Sequence, residues 1–260
     1  MTPSPILRQL PRAAVVGIAI LLAGCGIVRV GEKPSASPSV ARTLLESQYE
    51  RVQRFDGVFF LNVESPRYNL GAKGTCSLEH PDKFRGRLFG PFGIRLGDII
   101  LNGDDYWASV MNGQVREGKI SETDISGITG LELPSDDLLS LFDPAAKPPV
   151  KGAHTLSFKV EKESGFWLWR VDEGTLVREI QLDPAKKAAR SERWSTKDGV
   201  QVLSKQYDQY EVDSGSWIAH RLVLESRAVE PVKAELVYES LRFDPEWKDD
   251  PFKLMESTSR

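Results

Sequence analysis

The chain has 260 residues, with 34 Lys and Arg against 37 Asp and Glu, for a net charge of −3. Cations and carboxylates alternate throughout, so the clustered basic patch that a nucleic-acid binder needs to displace counterions from phosphate is missing. The length is enough for a single domain to bury an ordinary hydrophobic core, and two cysteines cannot make a disulfide framework.

Arg8 and Arg12 form a short basic n-region ahead of Ala13 to Ala23, an unbroken apolar run with one glycine. A transmembrane helix needs about 20 such residues, so this run is too short to span a bilayer. It stops at Leu22-Ala23-Gly24-Cys25, which resembles the bacterial lipobox. That resemblance implies diacylglycerol on the Cys25 sulfur, cleavage before it and a third chain on the new amine. At about 0.8 kcal/mol per buried methylene, one chain holds a membrane only marginally whereas two or three anchor it. The bland alternative is an ordinary signal peptide that happens to contain a cysteine. The expected layout is a signal peptide over 1–24, lipidated Cys25 and a flexible tether over 25–39, and one folded domain over 40–260. Removing Arg8 and Arg12 with the signal peptide takes the charge from −3 to −5. Cys76 is then left without an intramolecular partner, and reads as a small buried apolar residue rather than a reactive thiol.

The stretch Lys33-Pro34-Ser35-Ala36-Ser37-Pro38-Ser39 has little to bury and reads as the tether. Ala41, Leu45, Tyr49, Val52 and Phe55 then recur at helical spacing, predicting one amphipathic helix. After Asp56-Gly57 the period changes to two. Phe59, Leu61 and Val63 alternate with variable positions, as do Ala72, Gly74, Cys76 and Leu78, then Phe84 and Leu88. Further strands are expected over 94–101, 105–111, 114–120, 154–161, 166–171, 176–182, 200–210, 217–227 and 232–243. Tight turns punctuate them at Asn102-Gly103, Asn112-Gly113, Ser164-Gly165, Glu173-Gly174, Asp198-Gly199 and Ser214-Gly215. One helix interrupts this meander: Pro134, Ser135, Asp136 and Asp137 supply a cap and first-turn acids for Leu138 to Phe142, and Pro144, Pro148 and Pro149 end it. The fold class is therefore mainly β with few helices (α+β). A strongly curved antiparallel sheet would form a half-open β-barrel closed by interior helices, since the apolar face must be covered.

The order of lipobox, tether, helix, meander, interior helix and meander resembles the bacterial lipoprotein-localisation family (LolA/LolB-like), nearest to its outer-membrane receptor. Two stretches carry the resemblance beyond that order. Gly90-Pro91-Phe92-Gly93 is similar to the receptor's loop that projects one apolar side chain toward the membrane, and Thr129-Gly130-Leu131-Glu132-Leu133-Pro134 with Leu138 is similar to the entry to its interior helix. The likeness runs from about Leu44 to Phe252. Asp143-Pro144 departs from the glycine expected after the helix, Ala219-His220-Arg221-Leu222 lacks an expected proline, and Ala145 to Leu182 is long.

The resemblance implies an acyl-chain cavity and no chemistry. Phe59, Leu61, Leu78, Phe84, Leu88, Leu138, Phe142, Phe158, Trp167, Trp169 and Leu236 are the candidate lining, though apolar residues at strand spacing are core by default. Phe92, bracketed by proline and glycine, is the candidate membrane contact. Trp107, Trp194, Trp217 and Trp247 could line a pocket or its rim. No catalytic or metal site is expected: His80, His154 and His220 lack ligand spacing, and the pairs Asp104-Asp105, Asp136-Asp137 and Asp249-Asp250 read as structural. No cofactor is expected. The expected protein is a monomer in the cell envelope, anchored to the outer membrane by Cys25 with its domain facing the periplasm. It would take lipid or acylated protein as cargo, with a periplasmic carrier protein as a possible partner. The alternative is a non-transferring envelope lipoprotein whose packed barrel binds a protein or glycan.

Overall fold

The computed structural model describes residues 35–66, 69–110, 114–122, 139–227 and 231–255. The expected signal peptide, Cys25, the turn at Asn112-Gly113, and Leu138 with the first part of the interior helix lie outside the described residues.

Helix α1 (Pro38–Arg51) starts inside the expected tether, because Ser37 caps it by accepting from the Val40 amide at 3.3 Å and Pro38 sits in its first turn. It buries Ala41, Leu45 and Gln48 and stops at Arg51, so Phe55 belongs to a strand rather than to this helix. The strands are β1 (Arg54–Glu64), β2 (Asn69–Glu79), β3 (Lys83–Phe89), β4 (Arg95–Asn102), β5 (Asp105–Val110), β6 (Val115–Lys119), β7 (His154–Val160), β8 (Trp167–Asp172), β9 (Val177–Asp183), β10 (Ala188–Ser195), β11 (Gln201–Asp213), β12 (Ser216–Ser226) and β13 (Val232–Phe243). The sequence pattern missed β10. Its inward positions include Glu192 as well as Ala189 and Trp194, so the apolar alternation that marks the other strands is broken by a buried carboxylate.

Among the described residues, thirteen strands form one antiparallel sheet in the order β6-β5-β4-β3-β2-β1-β13-β12-β11-β10-β9-β8-β7. Two meanders are thus joined by the pairing of β1 with β13, and the sheet ends at β6 and β7. Flat, it would be roughly 60 Å wide at about 4.8 Å per strand. It curls instead, for inward residues of β1–β5 and of β8–β13 join in a single core cluster with α1. β6 and β7 are the two edge strands of this order, and the segment 139–150, which precedes β7, packs on the concave face.

Register assigns the faces. Phe59 pairs with Gly74 and Tyr238, and Leu61 with Ala72 and Leu236, on the inner wall. A Cβ on Gly74 would lie 2.3 Å from the Phe59 ring and 2.9 Å from the Arg87 carbonyl, so only glycine lets that ring lie against the wall. The outer face is covered near β1–β4 by the C-terminal tail. Trp247 donates to Asp56 at 2.9 Å, Phe252 is 1% exposed against it, and Arg85 donates to the Pro251 carbonyl.

Candidate functional site: an apolar wall under a latched strap

The concave wall is aromatic where the two meanders face each other. Phe59, Leu78, Phe84, Trp167, Trp169 and Leu236 are buried there, while Leu61, Leu88 and Phe158 are partly buried against the same cluster. The space over them holds the segment 139–150, hereafter the strap. It begins as a single 3-10 turn over 139–141 and then continues without regular secondary structure. Phe142 from the strap meets Phe84 at 4.6 Å and Phe59 at 5.8 Å between ring centroids. Leu141, Ala145 and Ala146 are buried beside it. Of the predicted lining, Phe142 therefore belongs to the strap and the others, Leu138 apart, to the wall.

What the sequence did not reveal is how the strap is held. Six of its backbone carbonyls accept hydrogen bonds from the wall or the helix. Lys205 donates to Ser140 and, at 2.8 Å, to Asp143; Tyr238 donates to Phe142; the Ala219 amide to Pro144 at 3.4 Å; Arg178 to Lys147 at 2.6 Å; and Arg42 to Pro149 at 2.8 Å. His80 adds a polar contact, its Nε2 lying 3.0 Å from Asp143 Oδ2 but not aligned for a hydrogen bond. One signal was available: Lys205 stands at an inward position between Leu203 and Tyr207, where strand parity demands an apolar residue.

Behind the strap a buried polar group supports these latches. Glu192 pairs with Arg178 and accepts from the Tyr207 hydroxyl at 2.9 Å, and Glu173 lies 3.4 Å from Arg178. Burial works against the Arg178 charge, but Glu192 and Glu173 outweigh it and hold the guanidinium above its ordinary value. Burial, reinforced by Glu192, pushes the Tyr207 hydroxyl well up, and burial does the same for Tyr238. A pocket of about 240 Å³ remains between strap and wall, lined by Ser140, Ala145, Arg178, Trp194 and Tyr207 among others. That is below the roughly 300 Å³ at which small-molecule sites begin.

A second concavity of about 400 Å³ opens near the tip of the β3–β4 hairpin, lined by Phe60, Leu61, Ala72, Lys73, Phe89 and Pro91. Phe92 stands at that tip with its side chain fully exposed. It holds φ 61° and ψ 18°, the left-handed region that disfavours a bulky side chain. Trp107 is buried at an outward-facing position of β5, Trp247 packs on the outer face, Trp194 lines the smaller pocket and Trp217 is half-exposed. Burial pushes the Cys76 thiol up to about 12. Among the described residues no helix is long and apolar enough to cross a membrane, and no group of His, Cys, Asp and Glu could hold a metal ion.

A single antiparallel sheet, unclosed and curled around an interior segment of its own chain, is the open barrel of LolA-like proteins, and this chain has that fold. Solved structures that share it include the following three. One is a domain described as an outer membrane lipoprotein-sorting protein from Vibrio parahaemolyticus (TM-score 0.58, 13% identity, 83% of this chain and 97% of that one covered). Another is a LolA superfamily protein from Nitrosomonas europaea (TM-score 0.58, 13% identity, 82% and 97%). The third is a DUF1329 family protein from Desulfovibrio piger (TM-score 0.59, 11% identity, 84% and 98%). At such identities the likeness is one of fold. No family model matches the sequence, and neither does any curated protein.

Proposed function

We propose that this is an envelope lipoprotein, acylated on Cys25 and held by that lipid at the outer membrane, whose barrel takes up acyl chains of lipids or other lipoproteins and hands them to the membrane. Cargo could arrive from a periplasmic carrier protein. The strap occupies the empty site and gives way to hydrocarbon, while Phe92 touches the bilayer at release. The observation that carries the reading is the aromatic concave wall covered by one segment, which is joined to that wall through its backbone carbonyls rather than by continuous sheet. Sharing the open-barrel fold with proteins described as lipoprotein-sorting supports it.

Residues 34–260 form one compact unit with its own contiguous core and can be tested alone. A fluorescent fatty acid should bind this domain at micromolar concentration and be displaced by a lipopeptide. Absence of binding would instead favour a packed module that recognises a protein or glycan. Phe92→Glu should leave that binding intact and slow transfer to vesicles. In cells, Cys25→Ser should abolish incorporation of labelled palmitate.

A further inference from the structure

The base of the β3–β4 hairpin carries more positive charge than its surroundings neutralise. On the outer face, Asp98 is fully buried and three arginines converge on it. Arg85 takes both carboxylate oxygens, at 3.1 and 2.8 Å. Arg87 and Arg95 each stand 3.6 Å from the same Oδ2, and the Arg87 Nε is buried without a hydrogen-bond partner. One carboxylate thus faces three guanidinium groups, and Arg85 takes its closest bonds. The Arg87 side chain is 38% exposed and that of Arg95 is 55% exposed. The excess is felt within the cluster: burial first, then Arg85 and Arg95, lower the Arg87 pKa against the pull of Asp98. Lys73, across β2 from Phe89, is by contrast neutralised by Glu239 at 2.6 Å.

The position of this charge relative to the hairpin tip matters. Phe92 is fully exposed and Ile94 is 58% exposed. Arg95 lies three residues from Phe92, at most about 10 Å along an extended chain, and Arg87 stands two ladder pairs further down, opposite Asp98. Amphipathic elements settle about 5–10 Å into the boundary between headgroups and acyl chains. If Phe92 and Ile94 enter that boundary, the free faces of Arg95 and Arg87 arrive at the depth of the lipid phosphates.

We propose that Arg87 and Arg95, organised by Asp98 and Arg85, form a phosphate-binding collar that docks the hairpin on anionic phospholipid. This rests on the reading of Phe92 as a membrane contact and names the lipid class that contact selects. Asp98 positions the collar.

The test is co-sedimentation of residues 34–260 with vesicles of phosphatidylcholine alone, or with about a third phosphatidylglycerol, at low and high salt. Each basic side chain near an anionic surface contributes about fivefold in binding. Wild type should therefore prefer the anionic vesicles by about 20-fold, and the preference should fade as the Debye length falls from about 10 Å at 0.1 M salt to about 3 Å at 1 M. Arg87→Gln with Arg95→Gln should erase the preference and leave binding to phosphatidylcholine unchanged. Arg95→Gln alone, at an exposed position, should lose about fivefold, which keeps the test valid if the double variant unfolds. Lys159→Gln with Lys162→Gln, the same charge change near the far edge of the sheet, should change nothing. An anionic preference that survives in both collar variants, or falls equally in the lysine control, overturns the collar. If Phe92→Glu leaves binding to both vesicle types intact, the membrane-contact reading fails and the collar that rests on it falls too, whereas an anionic preference that survives in the collar variants overturns the collar alone.

Discussion

Truncating Phe142 to alanine tests whether strap and guest compete for one site. The Phe142 ring contacts Phe84 at 4.6 Å and Phe59 at 5.8 Å. Each aromatic pair contributes about 0.5–1.5 kcal/mol beyond burial, so the two together hold the strap down by about 2 kcal/mol. Losing them raises the population of the open strap about 30-fold, because 1.4 kcal/mol is a factor of ten. Where a guest binds only the open state, its apparent dissociation constant falls by the same factor while that state stays in the minority. Titration of a fluorescent fatty acid should therefore show Phe142→Ala binding about 30-fold tighter, although its melting temperature drops. Phe252→Ala provides the comparison, since Phe252 is equally central to packing but lies on the outer face against Trp247. It should lose stability with no gain in affinity. If Phe142→Ala is merely less stable and binds the probe no better, the strap does not occupy the guest's place.

Gly74→Ala should cost about 1–3 kcal/mol in urea unfolding, because the new methyl meets the Phe59 ring and the Arg87 carbonyl, and only the ring can give way. Lys205→Met removes the donor to two strap carbonyls, each bond worth about 1 kcal/mol net, so amide exchange over 139–150 should quicken about 30-fold. Cys76, raised from 9.0 to about 12 by burial, favours the folded state fully below pH 9, and that contribution is lost as pH rises toward 12. Between pH 9 and 10, below the range where buried Tyr207 and Tyr238 add slopes of their own, stability should fall by about 1.4 kcal/mol per pH unit, Cys76→Ala should flatten this limb, and the native thiol should resist alkylation at pH 8. Phe92→Asn places in the left-handed turn a residue that tolerates it, and should stabilise the domain by up to about 1 kcal/mol while weakening vesicle binding.

The strands were legible because Phe59, Leu61, Ala72, Cys76, Leu78 and Phe84 alternate cleanly and Gly103, Gly165, Gly174, Gly199 and Gly215 all take the positive φ their turns demand. The curl followed from the need to cover that face. The strand β10 was hidden by the same rule that revealed the others, since it puts Glu192 inward where the pattern asks for carbon. The latches were hidden for a related reason. Period-two reading sorts residues by face but not by partner, and Lys205, Arg178 and Tyr238 find theirs on a segment distant in sequence. Phe55 illustrates a different failure: three residues after Val52 it fits the helical stripe, yet its neighbours are Leu78 and Phe243 across the sheet. Spacing alone could not separate the two.

The chemistry of the latches bears on how such a gate can work. Contacts between the strap's apolar side chains and the wall are interchangeable with contacts between hydrocarbon and the same wall, so they contribute nearly equally to the closed and the occupied state. Bonds to the carbonyls of Ser140, Phe142, Asp143, Pro144, Lys147 and Pro149 are not replaced by a methylene chain. At about 1 kcal/mol each they set a threshold of several kcal/mol that a guest must exceed through buried area. At about 0.8 kcal/mol per methylene, a short chain falls below that threshold and a long one clears it. Length selection would then reside in the polar residues behind the strap rather than in the size of the apolar wall. Lys205→Met should accordingly extend binding to shorter chains, whereas wall substitutions such as Leu78→Ala, which weaken the closed and the occupied state alike, should change binding little at any length.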